Sequence, residues 1–294
     1  MNYGFRNIHP LTNFLYYVFS FAIIMLNQHP FFLIFSSILT VFLNFVLDAG
    51  RTLKNWGKFV LFLILLFIVI TPLFNHRGSV ILFYAFQNPI TLEAILQGFI
   101  NALTLFSVVA LFFTFSLVID GEKFLFLFSK HLPGWTLLTM VSVRFVPLLK
   151  RRLEEIRTVH QTKHSAQKHS ILTRLKHGLF LVQILLTWSL EDGIQTADSM
   201  AARGYGLQKR SRYVRYKFEK QDIFLVGWMS LLTGISIWGW FLGDGVLTLF
   251  PVIEPLLLEG REWFFFTNFL LLVGLPLLIE GKDALQWQFW KRDN

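Results

Sequence analysis

The sequence contains no cysteine and carries few charges. Without cysteine there is no disulfide framework, no thiolate metal site and no cysteine nucleophile. Asp, Glu, Lys and Arg make up 15% of the 294 residues, against about 25% in a soluble domain. No Walker A pattern occurs, so the chain has no P-loop for ATP. No HExxH helix occurs either. The eight histidines are scattered, five of them (His131, His160, His164, His169 and His177) in one basic stretch, and no metal site is expected. No paired acid and base and no activated nucleophile support a membrane enzyme. The apolar runs hold essentially no ionisable residue. Carriers coupled to protons or ions place carboxylates or histidines at membrane depth, and their paired, interrupted-helix repeats are also missing.

What is present is hydrophobic length: 54% of the residues are hydrophobic, with 34 Phe and 9 Trp. Apolar runs at Leu11–Leu26, Phe31–Leu47, Phe59–Phe74, Leu92–Ile119, Ile223–Leu242 and Trp263–Ile279 each read as a membrane span. His29-Pro30 breaks the first two into a tight hairpin. Because further spans follow it, the first run is expected to be a retained helix rather than a cleaved signal peptide. Asp48 to Lys58 is expected to be a loop carrying Arg51, Lys54 and Lys58. Asn75 to Thr91, with Gly78, Pro89 and an apolar run from Ile81 to Phe86, is expected to form an excursion with a short strand pair. Asn44, Gln97, Asn101 and Asn268 are the main polar groups at depth, and such groups most often hydrogen-bond a neighbouring helix.

The charge is concentrated. Residues 144–220 hold 16 of the 27 Lys and Arg but only 6 of the 18 acids, a net of +10; the remainder holds 11 basic and 12 acidic residues, a net of −1. Basic segments beside spans stay cytoplasmic. Placing this one inside, and counting through six spans, puts both termini and the 48–58 loop inside. Only Arg77 and Arg261 then stand as basic residues in the outside loops. No nucleic-acid fold motif accompanies the basic segment, so anionic lipid or an acidic protein partner is favoured over nucleic acid.

Two long amphipathic helices are expected within it. An interfacial stretch at 124–143, broken at Lys130-His131 and Pro133-Gly134, leads into the first, whose apolar face includes Phe145, Leu149, Leu153, Ile156 and Val159, with Pro147 as a kink point. Gln161 to Ser170 reads as the turn between them. The second runs from Leu175 to Arg203, about 43 Å, with Leu179, Val182, Leu186, Leu190 and Ile194 on one face. It ends at Ala201-Ala202-Arg203-Gly204. Arginine suits the last turn of a helix, and glycine beyond it supplies a left-handed cap. The chain is therefore expected to be an all-α polytopic membrane protein with about six transmembrane helices and two long amphipathic cytoplasmic helices. Its expected divisions are 1–122 (membrane helices), 123–220 (the cytoplasmic or interfacial region) and 221–294 (membrane helices).

Several of these residues carry a resemblance. Val143-Arg144-Phe145-Val146-Pro147 with Glu154-Glu155 downstream is similar to the first coupling helix of the transmembrane T component of energy-coupling factor (ECF) transporters, the CbiQ/EcfT-like family. Ala197, Met200, Ala202, Arg203, Gly204 and Tyr205 resemble the end of its second. His9-Pro10-Leu11-Thr12 and Leu73-Phe74-Asn75 are weaker points of likeness.

The resemblance implies the non-catalytic coupling subunit of an ATP-driven importer in a prokaryotic cell membrane. Two cytoplasmic ATPase subunits would bind ATP and Mg, and this chain would hold no cofactor. A separate substrate-binding S component in the bilayer would carry a vitamin, a vitamin precursor or a metal ion. In the family a short X-Arg-Gly motif ends each coupling helix and docks an ATPase. The resemblance assigns that role to Arg203, with Gly204, Ala202 and Ala201 around it. The first motif departs, with Lys163, His164 and Ser165 standing where arginine and glycine belong. Lysine there keeps the charge but not the planar guanidinium fork. Arg144, Pro147, Glu154 and Glu155 are implied as structural residues of the first coupling helix. The competing classes are a self-sufficient secondary transporter and a conventional ABC permease half.

Overall fold

The computed structural model describes residues 4–75, 78, 80–85, 88–129, 132–163, 171–207, 216–248, 254, 257–258, 260–282 and 285. The chain forms two compact units, residues 1–124 together with 216–294, and residues 125–215.

The first unit is a helical membrane unit. A 3-10 turn at Phe5–Asn7 precedes α1 (Pro10–Leu26), α2 (Pro30–Asp48) and α3 (Arg51–Phe74). The two His-Pro pairs start α1 and α2 in the same way. Proline at the first helical position has no N–H to leave unsatisfied. The preceding histidine accepts through Nδ1 from the next free amide, Leu11 N at 3.2 Å for His9 and Phe31 N at 3.4 Å for His29. Strands β1 (Ile81–Ala85) and β2 (Asn88–Thr91) pair antiparallel, with Tyr84 opposite Pro89 and Ala85 opposite Asn88. Thr91 ends β2 and N-caps α4 (Leu92–Val118), its hydroxyl accepting from Ala94 N. After the second unit the chain returns as α8 (Lys220–Phe241), α9 (Glu262–Val273) and α10 (Leu275–Lys282).

In a bilayer helices gain little from hydrophobic burial against one another, so close packing and hydrogen bonds decide which pairs meet. α4 packs on α2 and α3, and α8 packs on α1 and α9. Ser37 Oγ lies 2.7 Å from Ser107 Oγ, and Asn44 Nδ2 donates to the Ala110 carbonyl at 2.9 Å, both joining α2 to α4. Asn268 Nδ2 donates to the Leu232 carbonyl at 2.8 Å and to Ser236 Oγ at 2.7 Å, joining α9 to α8. Gly239 permits this approach, since a Cβ there would stand 2.6 Å from the Phe265 ring. Phe32 meets Phe266 and Phe269 edge-on at 5.2 Å. Asn44 and Asn268 thus make the interhelical bonds expected of them, whereas Gln97 bonds Asn101 within α4 at 3.1 Å.

Among the described residues four helices, α2, α3, α4 and α8, are long and apolar enough to cross a membrane; α9 with α10 makes a fifth if the bent pair counts as one. α1 is apolar but shorter, at 17 residues. The expected span from Trp263 to Ile279 is therefore two helices, bent by 54°. At the bend a Cβ on Gly274 would come within 2.8 Å of the Leu270 carbonyl.

The expected loop at 48–58 is corrected as well. Ala49 and Gly50 turn the chain left-handed at φ 49° and 69°. Asp48 then accepts from Thr52 N at 3.0 Å and Thr52 Oγ1 at 2.7 Å, which starts α3 at once. Arg51, Lys54 and Lys58 consequently lie on its first two turns. Glu93, buried in the first turn of α4, accepts from Val80 N at 3.1 Å and ties the hairpin to that helix.

The second unit consists of the end of α5 (Gly121–Phe128), α6 (Pro133–Lys163) and α7 (Ile171–Ala202). The 124–143 stretch is not one interfacial helix. It is α5, a break, and the start of α6, which opens on Pro133 and continues through Pro147 for 31 residues. α7 begins ahead of Leu175 and has 32 residues, about 48 Å. α6 packs on α7. The Arg152 guanidinium lies over the Trp188 ring at 4.9 Å while its Nη1 holds Glu155 Oε2 at 2.8 Å. Leu172, Leu175, Leu179, Val182, Leu186, Leu190 and Ile194 form an exposed apolar stripe along α7.

Candidate functional site

The end of α7 is built by backbone chemistry. Arg203 is the cap residue, its N–H bonded to the Ser199 carbonyl at 3.2 Å. Gly204 follows at φ +78°. Its N–H donates to the Ala201 carbonyl at 2.9 Å, and the Tyr205 N–H reaches back to the Met200 carbonyl at 3.0 Å. These are the two bonds of a Schellman cap, which satisfy carbonyls that a helix end leaves open. A turn closed by Leu207 N to the Gly204 carbonyl at 3.2 Å continues the chain.

Ala201, Ala202 and Arg203 are exposed, and Arg203 forms no ion pair among the described residues. Upstream, Glu191 accepts weakly from Gln195 Nε2 at 3.5 Å. The arrangement presents a cation at a fixed point on a stiff rod. It offers a contact for an acidic surface rather than any bond-making group.

The first motif is largely out of view. Lys163 closes α6, while His164 and Ser165 lie outside the described residues, as does the side chain of Lys163. Of the residues implied as structural in α6, Glu155 is held by Arg152. Arg144, Pro147 and Glu154 are exposed.

Lys123 and Asp222 are buried charges that the sequence does not single out. Lys123, 9% exposed, donates from Nζ to the carbonyls of Arg6 at 2.7 Å and Val118 at 2.8 Å. Burial lowers its pKa, with Asp120 opposing and Arg6 reinforcing that shift. Asp222, 6% exposed, accepts through Oδ1 from Thr12 Oγ1 at 3.0 Å and His9 N at 3.3 Å, and through Oδ2 from Glu219 N at 3.0 Å. The His9 ring stands edge-on to Phe218 at 4.9 Å. Phe5 N donates to Glu280 Oε1 at 2.8 Å, and Phe5 itself is buried against Tyr16 and Tyr17. In sequence both charges flank apolar runs and look like solvated loop residues. Their partners lie 117 and 210 residues away, and only the fold shows them.

These features define an all-α, multi-pass membrane protein with a long two-helix insert. A family model described as CbiQ, cobalt transport protein, matches residues 5–214, and the chain belongs to that family. It is accordingly a membrane component of a cobalt or ECF-type transporter, a kind of component that in general works with ATPases and substrate-binding partners. No curated protein matches the chain.

Proposed function

We propose that the chain is the coupling subunit of an ATP-driven importer and that Arg203 is its contact with a cytoplasmic ATPase subunit. The observation that carries this reading is the tip of α7: an exposed guanidinium, capped by two backbone bonds, at the end of a 32-residue helix. A guanidinium presents paired donors to a carboxylate in a fixed plane, so it suits an acidic pocket on a partner. Ala201 and Ala202 keep the approach to it unobstructed, and Gly204 ends the helix where the arginine must be offered. ATP binding and hydrolysis in the partner would displace α7, and α6 with it through the Arg152–Trp188 contact. The displacement would reorient a separate substrate-binding membrane subunit. The cargo is a metal ion, a vitamin or a vitamin precursor, and the family's description as a cobalt transport protein favours cobalt. In this reading both termini are cytoplasmic, and Lys163-His164-Ser165 makes the weaker second contact.

The test is co-purification from cells expressing the chain with its ATPases. Arg203→Glu should release the ATPases while the chain still inserts in the membrane. ATPases that stay bound to the Arg203→Glu protein would remove Arg203 from the docking role.

A further inference from the structure

The chain leaves the membrane unit after Phe124 and returns to it at Tyr216. A buried charge stands beside each passage, Lys123 before the first and Asp222 after the second. Both close on the same short segment, Phe5–Thr12: Lys123 through the Arg6 carbonyl, Asp222 through His9 N and Thr12 Oγ1. The Arg6 side chain adds an ion pair to Asp120 at 3.5 Å, and Phe5 N adds a bond to Glu280 after the last bend.

Buried charges are costly, and they persist where their protons or lone pairs are satisfied. Here they are well satisfied. Asp222 takes three donors. The Lys123 ammonium spans two carbonyls, one of them in the last turn of α4, where the helix dipole favours a cation.

We propose that Phe5–Thr12 is a clasp, with Lys123 and Asp222 as its positioning residues, that fixes both passages to one footing. This deepens the coupling-subunit reading and rests on it. The clasp holds the start of α5 and the start of α8 at one separation. A force that arrives at either passage is then shared by α1, α4 and α8. If either point slides, that force is spent on the passage and does not reach the membrane helices. The N-terminal segment would thus set how much of the ATPase stroke arrives in the bilayer.

The chain has no native cysteine, so Glu122→Cys with Lys217→Cys, both at exposed positions, gives a unique spin-label pair across the two passages. The pair is measured in the complex with its ATPases in nanodiscs, nucleotide-free and trapped with ATP and vanadate. The clasp requires one narrow distance that is the same in both states. Lys123→Met and Asp222→Ala should each make that distance shift on trapping, while the ATPases stay bound and hydrolyse ATP at close to the original rate. Asp222→Asn, which keeps one acceptor oxygen, should fall between.

A distance that already shifts in the unsubstituted protein overturns the proposal. So do substitutions that leave the distance unmoved, that broaden it equally in both states as a merely structural lesion would, or that release the ATPases. The same pair in the isolated chain separates the two readings. A narrow distance there, with ATPases that ignore Arg203→Glu, sinks the docking role and not the clasp geometry. A broad distance there sinks the clasp whatever the ATPases do.

Discussion

Replacing Gly204 with alanine perturbs the proposed docking tip without touching its charge. Gly204 sits at φ +78°, where an L-residue costs about 1–2 kcal/mol. Space adds nothing to that figure, because the new Cβ would rest 3.6 Å from Leu207 Cδ1, an ordinary contact. The whole penalty therefore falls on the capped conformation that orients Arg203. At about 1.4 kcal/mol per factor of ten, affinity for the ATPase subunits should drop about 5- to 30-fold if the capped tip is the docking form. Asparagine tolerates the left-handed region better than alanine, so Gly204→Asn should lie closer to the unsubstituted protein. Titrating the nanodisc-embedded chain with fluorescent ATPase subunits measures both. Binding by Gly204→Ala as tight as the original would show that the cap does not position Arg203. An Asn variant as weak as the Ala variant would show that loss of glycine acts by some route other than backbone conformation.

Two further outcomes test the membrane unit. Asn268→Leu removes two interhelical bonds, each worth about 0.6 to 1.7 kcal/mol in a membrane protein; it should lower the detergent-unfolding midpoint by more than Ser236→Ala does, and an unchanged midpoint would remove these bonds from the account of α8–α9 pairing. Burial holds the His29 imidazole below its ordinary 6.5, with Glu262 and Glu254 offsetting part of the shift. The unfolded chain then takes up the proton first, so the stability from His29 is complete above about pH 6.5 and declines as pH falls toward the folded-state pKa. His29→Asn keeps an acceptor for the Phe31 amide and removes the titration, so it should flatten part of that decline in unfolding midpoints measured against pH. The His9 shift runs the same way and should leave a residual slope, and an undiminished slope in His29→Asn would refute the assignment.

Where a single residue type governs the local backbone, the sequence was legible. The His-Pro pairs put the starts of α1 and α2 within a residue of the expected runs, and Arg203-Gly204 predicted the cap that closes α7. The short strand pair before α4 was readable from the apolar run that begins at Ile81, set off by Gly78 and followed by Pro89. Other features depend on partners distant in sequence. At the start of α3, Arg51, Lys54 and Lys58 look solvated and suggest a loop, whereas Asp48 accepts from Thr52 and starts the helix ahead of them. The 54° bend had a signal in Gly274-Leu275-Pro276, a glycine and a helix-breaking proline within a mostly apolar stretch, but the length of that stretch argues for one span, and the closeness of the Leu270 carbonyl to Gly274 shows only in the fold. Lys123 and Asp222 were invisible as buried groups, because each pairs a near backbone partner with groups in Phe5–Thr12 that are far away in sequence. At the end of α7 the arginine and its glycine cap were readable from sequence, whereas the exposure of Ala201, Ala202 and Arg203 comes from the structure.

The α3 helix also has a bearing on where this protein works best. Apart from Val60 and Pro72, its side chains are at least partly exposed. Its uninterrupted apolar part, Phe59–Phe74, is about 24 Å long, less than the ~30 Å of a typical hydrocarbon core. α1, at 17 residues, reaches about 26 Å. Trp56 and the alkyl stems of Lys54 and Lys58 extend α3 at one end only. Such a deficit is met by compressing the lipid around it. Membrane thickness therefore acts on this protein as a continuous mechanical load, least in thin bilayers and rising as the acyl chains lengthen. Its first point of application is the helix with the least protein around it.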